Sequence, residues 1–112
     1  MDSENKVIDE NRRKKLSAKV TEIPLSVYSE VCTLLNIRRV DDWKDFRMLG
    51  EKVGLKRNAT EVINQRSENP TDAVLKKWSI DPAATVGELM KLLTEMERMD
   101  VVGVLDDWMN KE

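Results

Sequence analysis

The chain has 112 residues, of which 40% are hydrophobic and 36% charged, with a formal net charge of −2. That length carries one domain with a real core and hardly two. It contains no run of 18 apolar residues, and the opening MDSENKVIDENRRKK is too polar for a secretory segment, so a cytoplasmic protein is expected.

Residues 1–22 hold much charge, including the run Arg12 to Lys15, and show no sustained apolar face. They read as a flexible charged arm. Ser17 follows the basic run as a kinase substrate would. Order is expected from Ile23. Pro24 opens an amphipathic helix to Asn36, with Leu25, Tyr28, Val31, Cys32, Leu34 and Leu35 inward. After Ile37-Arg38-Arg39-Val40, Asp41 or Asp42 caps a second helix from Trp43 to about Val53, with Trp43, Phe46, Leu49 and Val53 inward and Gly54 as its stop.

Asn58-Ala59-Thr60-Glu61 has a capping-box outline and predicts a short third helix to Arg66, anchored by Val62 and Ile63. In Asn69-Pro70-Thr71-Asp72, Asn69 can cap and Pro70 suits the first helical position. Val74, Leu75 and Trp78 then fall on one face of this fourth helix. Thr85-Val86-Gly87-Glu88 is a full capping box before Leu89, Leu92, Leu93 and Met96 of the fifth. Asp100 caps the sixth, whose Val101, Val104, Leu105 and Trp108 repeat at three and four residues.

Four Gly and three Pro are too few for the turns of an all-β fold. The expectation is an all-α, six-helix antiparallel bundle over residues 23–109. Trp43 and Trp78 both continue apolar stripes and read as core. Cys32, the single cysteine, cannot form an internal disulfide and reads as a buried thiol between Val31 and Leu34. With no His and one Cys, zinc sites of the Cys/His kind and Ser/His/Asp or Cys/His catalysis are excluded. Asp41-Asp42 and Asp106-Asp107 are sequence neighbours and read as caps or surface charge rather than a dyad. No enzyme, metal or cofactor is expected.

The quoted pieces resemble a family. "DDWKDFRMLGEKVGL", "NPTDAVLKKW" and "ATVGELMKLLTEMERMDVVGVL" together are similar to a death domain, over residues 23–106. Within that superfamily the chain is most similar to the branch of the myeloid differentiation primary response adaptor, which joins Toll-like and interleukin-1 receptors to their kinases. "LLN-I-R", "NPT...W" and "TVGELMKLLTEM...DVVGVL" carry that likeness, and the receptor-associated kinases share "PT...W" and "TVG.L..LL". The resemblance implies a signalling adaptor module that performs no chemistry and assembles with other death domains, its own copies or those of kinases and adaptors, into a helical oligomer. Those relatives continue into a TIR or kinase domain, whereas this sequence ends at Glu112; an excised domain and a stand-alone domain that caps or inhibits such assemblies both stay open.

Three contacts follow from the resemblance. The first sets Lys77, Ser79, Ile80 and Asp81 against Glu97, Arg98, Met99 and Asp100 of a neighbour, with Ile80 and Met99 as apolar anchors. The second sets Arg57, Asn58, Glu61 and Asn64 against loops with Arg38, Arg39, Glu68 and Asn69. The third sets Glu30, Asp72 and Lys76 against Lys44, Arg47 and Lys52. Charge asymmetry suits such head-to-tail docking: residues 1–22 carry +1, 23–58 carry +2 and 59–112 carry −5. A nucleic-acid binder is the alternative. Its pI of about 5.3 argues against that, and Arg38, Arg39, Lys44, Arg47, Lys52, Lys56 and Arg57 would have to form one patch.

Overall fold

The computed structural model describes residues 3–111, with side chains from Glu10 onward. Seven α-helices follow in order: α1 Ser3–Ser17, α2 Leu25–Asn36, α3 Phe46–Lys52, α4 Arg57–Arg66, α5 Pro70–Trp78, α6 Val86–Glu95 and α7 Met99–Met109. A 3-10 turn spans Val20–Glu22, and Lys19 and Thr85 form an isolated bridge; there is no strand among the described residues.

The all-α expectation holds, with one helix more than the six expected. That helix, α1, stands where the sequence suggested an arm. It has no broad apolar stripe of its own, which is why the sequence signal was weak. It packs instead on α6 and α7 through half-buried Leu16 and Ala18 and through charged groups, and Val20 just after it is fully buried.

The core gathers one stripe from each later helix: Val31 and Leu35 of α2, Phe46 and Leu49 of α3, Ile63 of α4, Val74, Leu75 and Trp78 of α5, Leu89 and Leu93 of α6, Val101 and Leu105 of α7. Helix α2 lies against α5 and α7, and α3 against α4, α5 and α6. Burial of these side chains, at about 25 cal/mol per Å², is the main source of stability. Cys32 is buried as expected.

Two N-caps stand at the expected residues, although only half of the expected Thr85–Glu88 box forms, the Thr85 amide going to the Ala83 carbonyl at 2.8 Å. Asn69 accepts from the Asp72 amide at 3.2 Å with Pro70 at the helix start, and Thr85 accepts from the Glu88 amide at 3.2 Å. Gly54 takes φ 94°, and the Leu55 amide returns to the Gly50 carbonyl at 2.9 Å to close α3.

Other boundaries differ. Helix α3 begins at Phe46, because Asp45 rather than Asp41 or Asp42 caps it, accepting from the Arg47 amide at 2.9 Å and the Arg39 amide at 2.8 Å. Trp43 therefore precedes the helix, in a left-handed conformation (φ 60°), and is 52% exposed instead of core. Asn58 lies inside α4, whose cap position is Lys56, two residues earlier, with the Thr60 amide on the Lys56 carbonyl at 3.1 Å. Asp100 sits in the first turn of α7 and pairs with Arg98 instead of capping. Leu25 and Val62 point outward, since α2 turns its first residue to solvent and only Ile63 of α4 is fully buried.

Candidate interaction surfaces

The first surface is the loop after α5. Lys77 sits in the last turn of that helix, where its charge suits the negative helix end. Ser79 is half-buried and its hydroxyl donates to the Lys76 carbonyl at 2.7 Å. Ile80 follows at 88% exposure, the largest value of any big hydrophobic side chain among the described residues. The tight turn Trp78-Ser79-Ile80-Asp81 forces it out, since the Asp81 amide returns to the Trp78 carbonyl at 2.8 Å. Lys77 and Asp81 have no charged partner among the described residues. The Asp81 carboxylate accepts the Ala83 amide at 2.9 Å, and an exposed isoleucine between that anion and the Lys77 cation is what a mixed apolar and polar contact requires.

Its expected acceptor, the turn between α6 and α7, is only partly available. Met99 is exposed. Arg98 is 4% exposed and serves the fold: it donates to the Lys44 carbonyl at 2.6 Å and the Leu34 carbonyl at 3.2 Å, and holds Asp100 at 2.9 Å. Glu97, at φ 62°, forms an ion pair with Lys44 of its own chain. The Lys44 ammonium holds the Glu97 carboxyl below its usual range, and the Arg98 guanidinium does the same for Asp100.

The second surface is the outer face of α4. Arg57, Asn58 and Glu61 are exposed there, beside an open groove of about 560 Å³ that Trp43, Met48, Leu55 and Glu51 also line. The Arg47 guanidinium stacks on the Trp43 ring at 3.9 Å. Asn64, expected on this surface, instead accepts from Arg38 at 2.5 and 2.8 Å within one copy. Of the facing loops, Arg39 pairs with Asp42 at 2.9 Å, Glu68 is exposed, and the Asn69 side-chain oxygen already takes the Asp72 amide and Asn36.

The third set comes apart. Lys44 is bound to Glu97, Lys52 to Glu95 at 3.2 Å and Arg47 to Asp45 at 2.6 Å, while Lys76 pairs with Asp72 at 3.0 Å; Glu30 is exposed. Asp72 also accepts from the Tyr28 hydroxyl at 2.5 Å. Burial and that bond push the Tyr28 phenol far up. The same pairing neutralises the cations a nucleic-acid patch would need: Arg39, Lys44, Arg47 and Lys52 each face a carboxylate.

Sequence reasoning missed the Trp43–Arg47 stack and the buried roles of Asp45 and Arg98. The spacing of Asp45 and Arg47 was the one available signal, a cap residue two positions before a cation. Among the described residues no group of His, Cys, Asp or Glu could hold a metal ion, and no helix is long and apolar enough to cross a membrane.

The exposed apolar side chains of this all-helical body stand singly among charges. The model of the death domain family matches residues 29–109, and the chain belongs to that family. Neither a curated protein nor a solved structure matches the chain.

Proposed function

We propose that the protein is a cytoplasmic, non-enzymatic signalling adaptor module that assembles through homotypic death-domain contacts into a helical oligomer. Death-domain membership supports homotypic docking. The finer reading, a place in Toll or interleukin-1 receptor signalling beside receptor-associated kinases, rests on "LLN-I-R", "NPT...W" and "TVGELMKLLTEM...DVVGVL".

The observation that carries it is exposed Ile80, with Lys77 and Asp81 around it, neither in an ion pair among the described residues. Two different patches on one copy give a head-to-tail contact that does not close, and such contacts build spirals. Met99 and Asp100 at the α6–α7 turn are the acceptor, with buried Arg98 and the exposed Glu97–Lys44 ion pair shaping that turn. The face of Arg57, Asn58 and Glu61 supplies a second contact. Each charged pair contributes about 0–1 kcal/mol, so assembly depends on many weak contacts and on salt.

The test is the double variant Lys77→Glu, Ile80→Asp. Self-association falls while circular dichroism and the thermal midpoint stay as in the parent. Assembly equal to the parent's removes this loop from the contact.

A further inference from the structure

The family match begins at residue 29, yet the chain before it is tied to the docking loop. The Val20 amide donates to the Ala84 carbonyl at 3.0 Å, the Val86 amide to the Ala18 carbonyl at 2.9 Å, and the Lys19 ammonium to the Pro82 carbonyl at 2.9 Å. These three bonds hold the segment that runs from Ile80 into α6. At its other end α1 grips the tail of α7. The Lys15 ammonium donates to the Trp108 carbonyl at 2.9 Å and to the Lys111 carbonyl, just past the helix end, at 2.6 Å. Arg12 lies 2.8 Å from Asp106 and donates to Asn110 at 3.1 Å.

Between the two grips, α1 passes so near α6 that a Cβ on Gly87 would stand 3.1 Å from the Leu16 carbonyl oxygen. Glycine at 87 is the condition for that approach. The apolar hold of residues 12–19 is small, since Leu16 and Ala18 are only half-buried, and Val20 at the end of the segment is its one buried anchor in the core. A segment fixed by few apolar contacts and by part-exposed polar ones opens locally at low cost.

Ser17 stands at the joint. It is exposed, it ends α1, and its hydroxyl donates to the Arg13 and Lys14 carbonyls at 3.1 Å. We propose that residues 12–20 are a latch on the Ile80 loop and that phosphorylation of Ser17 by a kinase selecting basic residues opens it. Arg12-Arg13-Lys14-Lys15-Leu16 is the cationic run an acidic kinase cleft reads, and a weakly held segment can enter that cleft extended. In the transfer, Ser17 Oγ forms a bond to the γ-phosphorus of ATP, the bond to the bridging oxygen breaks, ADP leaves, and the hydroxyl proton passes to the kinase's base.

The product works against the closed latch in three ways. It has lost the hydrogen that capped the two carbonyls. It places a charge of about −1.5 to −2 at the negative end of α1. It also competes for Lys19, which holds Pro82. With the latch open the loop loses its fixed position, and docking through Ile80 weakens. That consequence rests on the function proposed above; the latch itself does not.

The test treats the full chain with such a kinase and ATP, maps the phosphate by mass spectrometry, and follows amide exchange at Val20 and Val86 by NMR, with Ser17→Ala as control. Phosphate on Ser17 with about tenfold faster exchange at both amides, and unchanged exchange at Leu93, is the expected result. No phosphate on Ser17, or phosphate with unchanged exchange, overturns the proposal. Gly87→Val, which pushes α1 off α6 without modification, is expected to speed exchange at Val20 by a similar factor, and unchanged exchange there overturns the latch. Faster exchange with undiminished self-association leaves the latch standing and instead sinks the docking role of Ile80.

Discussion

The buried guanidinium of Arg98 donates to the backbone carbonyl of Lys44 at 2.6 Å, across 54 residues of sequence. Glu97, its neighbour, takes the ammonium of the same lysine. The turn between α6 and α7 and the turn before α3 are thereby one rigid corner, and Met99 is displayed on it. Arg98→Ala orphans buried carbonyls at about 1–3 kcal/mol each, so a loss of about 3 kcal/mol in unfolding free energy is expected, read as a lower urea midpoint at unchanged slope. A loss under about 0.5 kcal/mol would show that the corner is held by other contacts.

The tryptophans separate by role. Trp78 is 5% exposed and sits in the core, whereas Trp43 is half-exposed and stacked by Arg47. Trp78→Ala is expected to cost about 3–5 kcal/mol. Trp43→Ala is expected to cost under about 1 kcal/mol, because only a surface stack is lost and the left-handed backbone is no worse for alanine. Acrylamide quenching of each single-tryptophan variant checks the assignment: Trp43 is quenched in the native state and Trp78 is protected.

Asp45 gives stability a pH dependence. Burial opposes its ionisation, but the Arg47 side chain and the Arg39 and Arg47 amides outweigh that and hold its carboxyl below the usual range. A depressed carboxylate contributes stability that is full above the unfolded value of about 3.9 and is lost as pH falls through the folded value. Stability is expected to drop between about pH 4 and the lower folded value, and Asp45→Asn to flatten that drop while lowering stability at pH 7. An identical acid limb in both proteins would place the titration elsewhere.

Burial, then the Asp72 charge, pushes the Cys32 thiol up to about 11. Little thiolate exists at pH 8, and the sulfur is enclosed. Labelling by an aromatic disulfide reagent is expected to proceed only as fast as the domain opens, and to accelerate in urea together with loss of structure. Rapid native labelling would mean that α2 is not packed as described.

Where one local rule acts alone, the sequence was legible. Asn69 with Pro70, Thr85 with Glu88, and Gly54 each set a helix boundary through groups within a few residues, and the stripe of Val74, Leu75 and Trp78 needed only helical spacing. The start of α3 was not legible, because three aspartates compete for one cap and Asp45 wins through a contact from Arg39 six residues back. The loss of that boundary carried Trp43 to the wrong side. Helix α1 escaped for a different reason: its hold is Lys15 and Arg12 on the far end of α7, more than 90 residues away, which no periodicity reports. Among the candidate contact residues, Lys77, Ile80, Asp81 and Met99 lie exposed as their sequence context suggested. Arg98, Glu97, Arg47 and Asn64 are engaged within their own chain, because a charge in a sequence does not disclose its long-range partner.

Light scattering on a sizing column, over rising protein concentration at low and high salt, tests homotypic assembly most directly. Growth into large species that shrink at high salt is the expected result, since the contacts are charged and exposed. A strict monomer at every concentration and at both salt levels would contradict self-assembly.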